Sequence, residues 1–144
     1  MVFREYEQNK TKLNNSIIKY EKLLDDRERL FNITQPKGID TSKEKIKSSV
    51  KESPYDVYLI EKEKRDLDDR IEEALRLIDK RKNLLENVKF KLLESDELID
   101  EVYICRYMKR MKVRQISQKI NYSEPQTYRM LSTIRQIIED DRKW

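Results

Sequence analysis

The 144-residue sequence contains no histidine, a single cysteine and a single glycine. Without histidine, the common zinc sites and histidine-dependent nucleophile pairs are excluded, and Cys105 alone can form no disulfide within one chain. With Gly38 as the only glycine, glycine-rich phosphate loops and dinucleotide-binding turns are excluded as well. We therefore expect no catalytic residue, metal site or cofactor, and no enzyme. We expect Cys105 to be a small buried hydrophobic residue.

Long apolar runs are missing too. No segment approaches the roughly 20 apolar residues of a membrane span, and the first residues lack the apolar core of a signal peptide. These features indicate a cytoplasmic protein with no membrane partner. Charged residues make up 42% of the chain and hydrophobic residues 37%, with only three prolines. Such a composition, combined with regular apolar spacing, predicts an all-α fold.

Two long segments repeat apolar residues at alternating three- and four-residue steps. The first predicts an amphipathic helix over residues 1–33, and the second a coiled-coil-like helix over residues 54–94, opened by Ser53 and Pro54. Residues 34–53 between them are rich in turn-forming residues, lysine and serine, which indicates a linker. The two helices could pair as a hairpin within one chain or as a coiled coil between chains. Four seam positions carry basic residues: Lys10, Arg27, Lys64 and Arg81.

The last third of the chain, residues 95–144, differs in charge and in pattern. Ser95 and the two acids after it are typical of a helix start, so we expect the long helix to kink or break there. The stretch from residue 106 to residue 135 then has one acid, Glu124, against eight basic residues. The eight are Arg106, Lys109, Arg110, Lys112, Arg114, Lys119, Arg129 and Arg135.

Inside the basic stretch, the spacing of Val113, Ile116 and Ile120 predicts one face of a short helix. Asn121 favours the left-handed conformation that ends a helix. Ser123 and Gln126 then form the pattern of a capping box, which predicts a second helix running to about residue 141. A short helix, a tight turn and a second helix within a basic surface are typical of a protein that reads duplex DNA.

The exposed first turns of the second helix would enter the major groove, where three side chains are base-reading candidates. Glu124 would accept from cytosine, Gln126 would pair with adenine, and Arg129 would pair with guanine or a phosphate. Free backbone amides around the helix start would add a phosphate site. The candidates for contacts to DNA phosphates are Arg110, Lys112, Arg114, Lys119, Ser123, Tyr128 and Arg135.

Residues 96–138 resemble region four of bacterial sigma factors, and more closely the small phage and prophage transcriptional activators of the RinA and ArpU type. The matching residues are Arg106-Tyr107 and the ungapped run from Gln115 to Met130. Asn121 stands where that pattern has glycine, Pro125-Gln126 where it has Arg-Thr, and Thr127 where it has valine. The resemblance implies a helix-turn-helix DNA-binding domain over residues 95–144.

The resemblance further implies a sequence-specific regulator in a bacterial host cell, which activates phage or prophage late genes. Its expected partners are double-stranded DNA, RNA polymerase and further copies of itself, with a dimer favoured. Two other classes remain open. A small terminase-type packaging protein also joins such a motif to oligomerising helices. A coiled-coil interaction or scaffold protein would use the basic stretch to bind an acidic partner.

Overall fold

The computed structural model describes residues 1–34 and 54–142, which form five α-helices and no strand. The α-helices are α1 (Val2–Thr34), α2 (Pro54–Leu93), α3 (Leu98–Tyr103), α4 (Val113–Ile120) and α5 (Glu124–Arg142). A π-helical segment, Ile104–Met108, continues directly from α3. The predicted all-α class is therefore confirmed. The linker prediction, from residue 35 onward, and the Ser53 cap lie outside the described residues.

The long helix ends close to the expected position, but the expected cap is not formed. Helix α2 ends at Leu93, and α3 begins only at Leu98, with Glu97 at the position before it. The hydroxyl of Ser95 accepts the Glu97 amide at 3.3 Å and donates to the Asp100 carboxylate at 2.6 Å. Because α3 begins later than the sequence suggests, Ser95 positions Asp100 and does not cap the helix itself.

The chain divides into two compact units, and the division falls inside α1 and inside α2. In the unit Asn14–Asp79, the buried hydrophobic residues of the described ranges are Ile71 and Ile78. Two of its basic seam residues have partners on the other helix. Arg27 pairs with Asp68 at 2.9 Å, and the Lys64 ammonium lies 6.0 Å from the centre of the Phe31 ring. These contacts join the two helices within this unit.

The other unit joins Met1–Leu13 to the chain from Lys80 onward. Its core includes Phe3 from α1 and Leu92 from α2, together with residues of every later helix. The rest of the core consists of Val102, Tyr103, Cys105, Val113, Ile116, Ile120, Leu131, Ile134 and Ile138. Cys105 is buried, as expected. The start of α1 thus belongs with the C-terminal helices, although the sequence pattern assigns it to a separate amphipathic helix.

The buried Asp100 carboxylate holds the start of α1 within this unit. It is inaccessible to solvent and accepts the backbone amides of Val2 at 3.2 Å and Phe3 at 3.0 Å. These are first-turn amides, which have no acceptor within their own helix. The Phe3 ring stacks on Tyr103 with ring centres 5.1 Å apart. The Asp100 carboxylate and this aromatic contact both connect α1 to α3.

Candidate nucleic-acid interface

Helices α4 and α5 are joined by three residues, and the turn has the geometry that the sequence predicts. Asn121 adopts the left-handed conformation, with φ 60° and ψ 40°. The amide of Tyr122 donates to the carbonyl of Ser117 at 3.1 Å, which is the bond expected when a left-handed residue ends a helix. Asparagine tolerates this conformation better than other residues with a side chain, so the turn needs no glycine.

The capping box at the start of α5 is formed. The Ser123 amide donates to the side-chain oxygen of Gln126 at 3.1 Å, and the Gln126 amide donates to the Ser123 hydroxyl at 3.3 Å. The Ser123 hydroxyl also donates to the same Gln126 oxygen at 3.0 Å. These reciprocal bonds satisfy donors that the first turn of a helix would otherwise leave without acceptors.

Packing between the helices fixes which residues of α5 face outward. Thr127, Leu131, Ile134 and Ile138 are buried, as are Val113, Ile116 and Ile120 of α4. The buried hydroxyl of Thr127 donates to the Ser123 carbonyl at 2.9 Å, so the burial leaves no polar group unsatisfied there. The apolar face predicted for both helices is the face that forms the core.

All predicted base-reading and phosphate-contacting residues lie on the surface. The exposed set is Arg110, Lys112, Arg114, Lys119, Ser123, Glu124, Gln126, Tyr128, Arg129 and Arg135. The remaining two basic residues of the stretch, Arg106 and Lys109, are exposed as well. The turn and the start of α5 bring Ser123, Glu124 and Gln126 together, whereas Lys119 belongs to a separate cavity.

The capping box competes with two of the predicted DNA contacts. The Gln126 oxygen, which a bidentate contact to adenine requires as an acceptor, already accepts two bonds from Ser123. The hydroxyl and amide donors of Ser123 are engaged by the same cap, and Pro125 has no amide proton to offer. A phosphate contact at Ser123 or a base contact by Gln126 would require the cap to open. Arg129 forms no such competing bond within the described residues and lies one turn further along α5.

Lys119 lies in a less basic environment than its sequence neighbours suggest. It lines a cavity of about 350 Å³ together with Lys109, Asp96 and Glu101. Two acids therefore accompany the two lysines there, which weakens the local attraction for a phosphate. The excess of positive charge is concentrated on the remaining residues of the basic stretch.

Arg110, three residues before α4, has a left-handed backbone conformation. Arg110 follows the π-helical segment and has φ 53°, although residues with a Cβ atom rarely adopt positive φ. The amide of Met111 donates to the carbonyl of Cys105 at 2.9 Å, which closes the wide turn around Arg110. At the start of α4, the Lys112 amide donates a hydrogen bond to the side-chain oxygen of Gln115 at 3.1 Å.

An aromatic cluster, which the sequence pattern did not reveal, supports the π-helical segment. Tyr103 lies between Phe3 and Tyr107, and the ring centres of Tyr103 and Tyr107 are 4.9 Å apart. The Tyr103 hydroxyl donates to the Glu7 carboxylate. Burial, and then this hydrogen bond, raise the pKa of Tyr103 well above its ordinary value. The neutral phenol is therefore the stable form at physiological pH.

No family model, curated protein or solved structure matches this chain. In the described ranges, no group of three or more histidine, cysteine or acidic side chains is arranged to hold a metal ion. None of the helices in those ranges is both long enough and apolar enough to cross a membrane. The case for a function therefore depends on the geometry and charge of the surface around α4 and α5.

Proposed function

We propose that this protein is a sequence-specific regulator of transcription that binds double-stranded DNA, and that it activates genes of a phage or prophage. The observation that carries the proposal is the basic stretch from residue 106 to residue 135. All eight of its basic side chains are exposed, with Glu124 as the only acid between them. An excess of exposed basic residues on and before a pair of helices joined by a tight turn is the usual footprint of a DNA reader.

In this proposal the first turns of α5 enter the major groove as the second helix of a helix-turn-helix. Arg129 is the strongest base-reading candidate, because its guanidinium can donate two bonds to guanine and the cap does not use it. Glu124 lies at the first position of α5 and would accept from cytosine. Arg110, Lys112, Arg114 and Arg135 would bind the phosphates that flank the groove.

The long helices would determine how many DNA-binding regions act together. In one unit Glu5 pairs with Lys91, and the Lys12 carbonyl accepts a hydrogen bond from Arg81. The partner positions on α2 therefore decrease as the residue number on α1 increases. This favours an antiparallel hairpin within one chain. Four leucines on α2, namely Leu75, Leu77, Leu84 and Leu93, remain at least 40% exposed. We propose that the protein forms a homodimer, to which exposed leucines of α2 contribute apolar surface.

The decisive experiment is a binding selection with the purified full chain and a library of random duplexes, followed by light scattering. The proposal expects enrichment of one sequence motif and binding that weakens as salt rises. If the selected duplexes share no sequence motif, the protein binds DNA without sequence specificity. No binding to any duplex at low salt would exclude the proposal, and a coiled-coil scaffold with an acidic partner would then explain the basic stretch. A ring of many subunits would support a packaging protein.

Three variants would separate base reading from capping. Arg129→Ala should lose about 1–3 kcal/mol on the selected duplex and much less on random duplexes. Gln126→Glu keeps the side-chain oxygen that the cap requires but loses the amide donor, whereas Gln126→Ala loses both. If Gln126 acts only in the cap, the glutamate variant should retain sequence preference. An equal loss on selected and random duplexes for Arg129→Ala would contradict its role as a base reader.

A further inference from the structure

A cavity of about 220 Å³ opens beside α5 on the flank that faces the π-helical segment. Val113 and Leu131 contribute apolar surface to it, and both are buried. The polar and aromatic lining consists of Arg106, Tyr107, Tyr128, Ser132 and Arg135. The cavity thus combines two guanidinium groups with three hydroxyl groups, and no carboxylate is among its lining residues.

Two of these side chains are held in place by neighbouring groups. A guanidinium nitrogen of Arg106 donates to the carbonyl of Met111 at 3.0 Å, which leaves the other guanidinium donors available. The Tyr107 ring stacks on the buried Tyr103. Neither Arg106 nor Arg135 forms an ion pair in the part of the chain that the structure describes. Arg135 and Tyr107 also line a second cavity, where the acids Glu7 and Glu139 are accompanied by the basic residues Lys10 and Arg142.

We propose that this cavity binds one phosphodiester group of duplex DNA, held by Arg106 and Arg135 together with the hydroxyls of Tyr128 and Ser132. Guanidinium groups match the geometry of phosphate oxygens, and serine and tyrosine hydroxyls are common phosphate donors. The inference rests on the proposed function and adds Arg106 and Ser132 to the binding surface.

The position of the cavity on α5 favours DNA over a protein carboxylate. Tyr128 precedes the base-reading candidate Arg129, and Ser132 lies three residues after Arg129, one turn along the same helix. A phosphate in the cavity would therefore lie next to the bases that Arg129 would read. Such a contact fixes the register of the helix in the groove without carrying sequence information itself.

The test measures the affinity of the full chain for the selected duplex over a range of salt concentrations, by fluorescence anisotropy. Arg106→Gln and Arg135→Gln should each lose about tenfold at low salt and flatten the slope of log affinity against log salt by less than about 0.9, because the remaining guanidinium still neutralises the phosphate. Because both side chains hold the same phosphate, the double variant should flatten the slope by about 0.9 in total and not by about 1.8. Arg65→Gln, an exposed arginine of α2, is the charge-matched control.

A second arm places the contact on the DNA. Single phosphates of the duplex are replaced one at a time by neutral methylphosphonates. One replacement should weaken binding of the native chain and have no effect on the double variant. Tyr128→Phe removes only an exposed hydroxyl and should show a smaller loss at the same phosphate. It therefore keeps the test decisive if circular dichroism shows that either arginine variant is unfolded.

The outcomes separate the two proposals. If the native chain binds no duplex, the proposed function fails, and the cavity proposal fails with it. If the native chain binds but all variants behave like Arg65→Gln, the cavity proposal alone is overturned. Variants that bind DNA normally but abolish activation of RNA polymerase would assign the cavity to an acidic protein surface. A flattening of about 1.8 in the double variant would show two separate phosphates and overturn the single site.

Discussion

Replacing Asp100 with alanine would remove the carboxylate that connects the start of α1 to α3. That carboxylate is fully buried and accepts three hydrogen bonds, from the Val2 and Phe3 amides and from the Ser95 hydroxyl. A buried donor without an acceptor costs about 1–3 kcal/mol, and losing a helix cap costs about 0.5–2 kcal/mol. Because the structure can relax around the small alanine side chain, we expect a total loss of about 2–4 kcal/mol.

The loss is large against the total stability of a domain, which is about 5–15 kcal/mol. For a chain of this length it should lower the melting temperature by roughly 5–15 °C, since each kcal/mol shifts it by about 2–4 °C. In Asp100→Asn the side-chain oxygen can still accept from a backbone amide, and the side-chain NH₂ group can donate to the Ser95 hydroxyl. This variant should therefore lose only about 1–2 kcal/mol of stability. Asp96→Ala removes an exposed carboxylate four residues earlier and is the matched control.

Two measurements check this reasoning. Urea unfolding followed by circular dichroism gives the stability of each variant, and hydrogen exchange reports the protection of the Val2 and Phe3 amides. In Asp100→Ala these two amides should exchange faster than in Asp96→Ala, while amides in the middle of α5 change less under native conditions. If Asp100→Ala matches Asp96→Ala within about 0.5 kcal/mol, the carboxylate does not anchor α1.

Three further predictions concern the turn residues and the aromatic cluster. Asn121→Ala should destabilise the fold by about 1 kcal/mol in urea unfolding, whereas Asn121→Gly should stay within a few tenths, because only glycine and asparagine accept the left-handed backbone easily. Equal stabilities would contradict the observed turn. Arg110→Ala and Arg110→Asn remove the same charge and should weaken duplex binding equally, yet the alanine variant should be less stable by about 0.5–1 kcal/mol. The raised pKa of Tyr103 should leave stability constant below its ordinary value of 10.0 and lower it as pH rises further, because the unfolded chain then ionises while folded Tyr103 does not. Tyr103→Phe should flatten this alkaline loss, and an unchanged alkaline profile would show that the phenol is not protected.

The features predicted correctly from the sequence are those fixed by neighbouring residues. Asn121 ends α4 and the Ser123–Gln126 box starts α5, because each device needs only residues within a few positions along the chain. The apolar spacing of α4 and α5 likewise identifies their buried faces. The same local chemistry misplaced the role of Ser95, since its hydroxyl is used by Asp100 and not by the first turn of α3.

The features that the sequence did not reveal depend on contacts between distant residues. The hydrogen bonds of Asp100 join it to Val2 and Phe3, which lie 98 and 97 positions away in the sequence. No sequence pattern around Asp100 distinguishes it from the many exposed acids. The cavity near Arg106 needs the π-helical segment, whose wider turn cannot be separated from an ordinary α-helix by apolar spacing. For Gln126, the sequence allows both a cap and a base contact, and only the geometry shows which oxygen is already engaged.

The stacking of Phe3, Tyr103 and Tyr107 connects the start of α1 to the π-helical segment that carries Arg106. Tyr107 lines the proposed phosphate cavity, and Arg106 precedes it on the same π-helical segment. The position of that segment depends on the Tyr103 ring, which is packed against Phe3, and Phe3 is held by Asp100. A C-terminal fragment that begins at residue 95 would lack both Phe3 and Leu92 of the core. The unit that would read DNA therefore includes residues from the start of the chain.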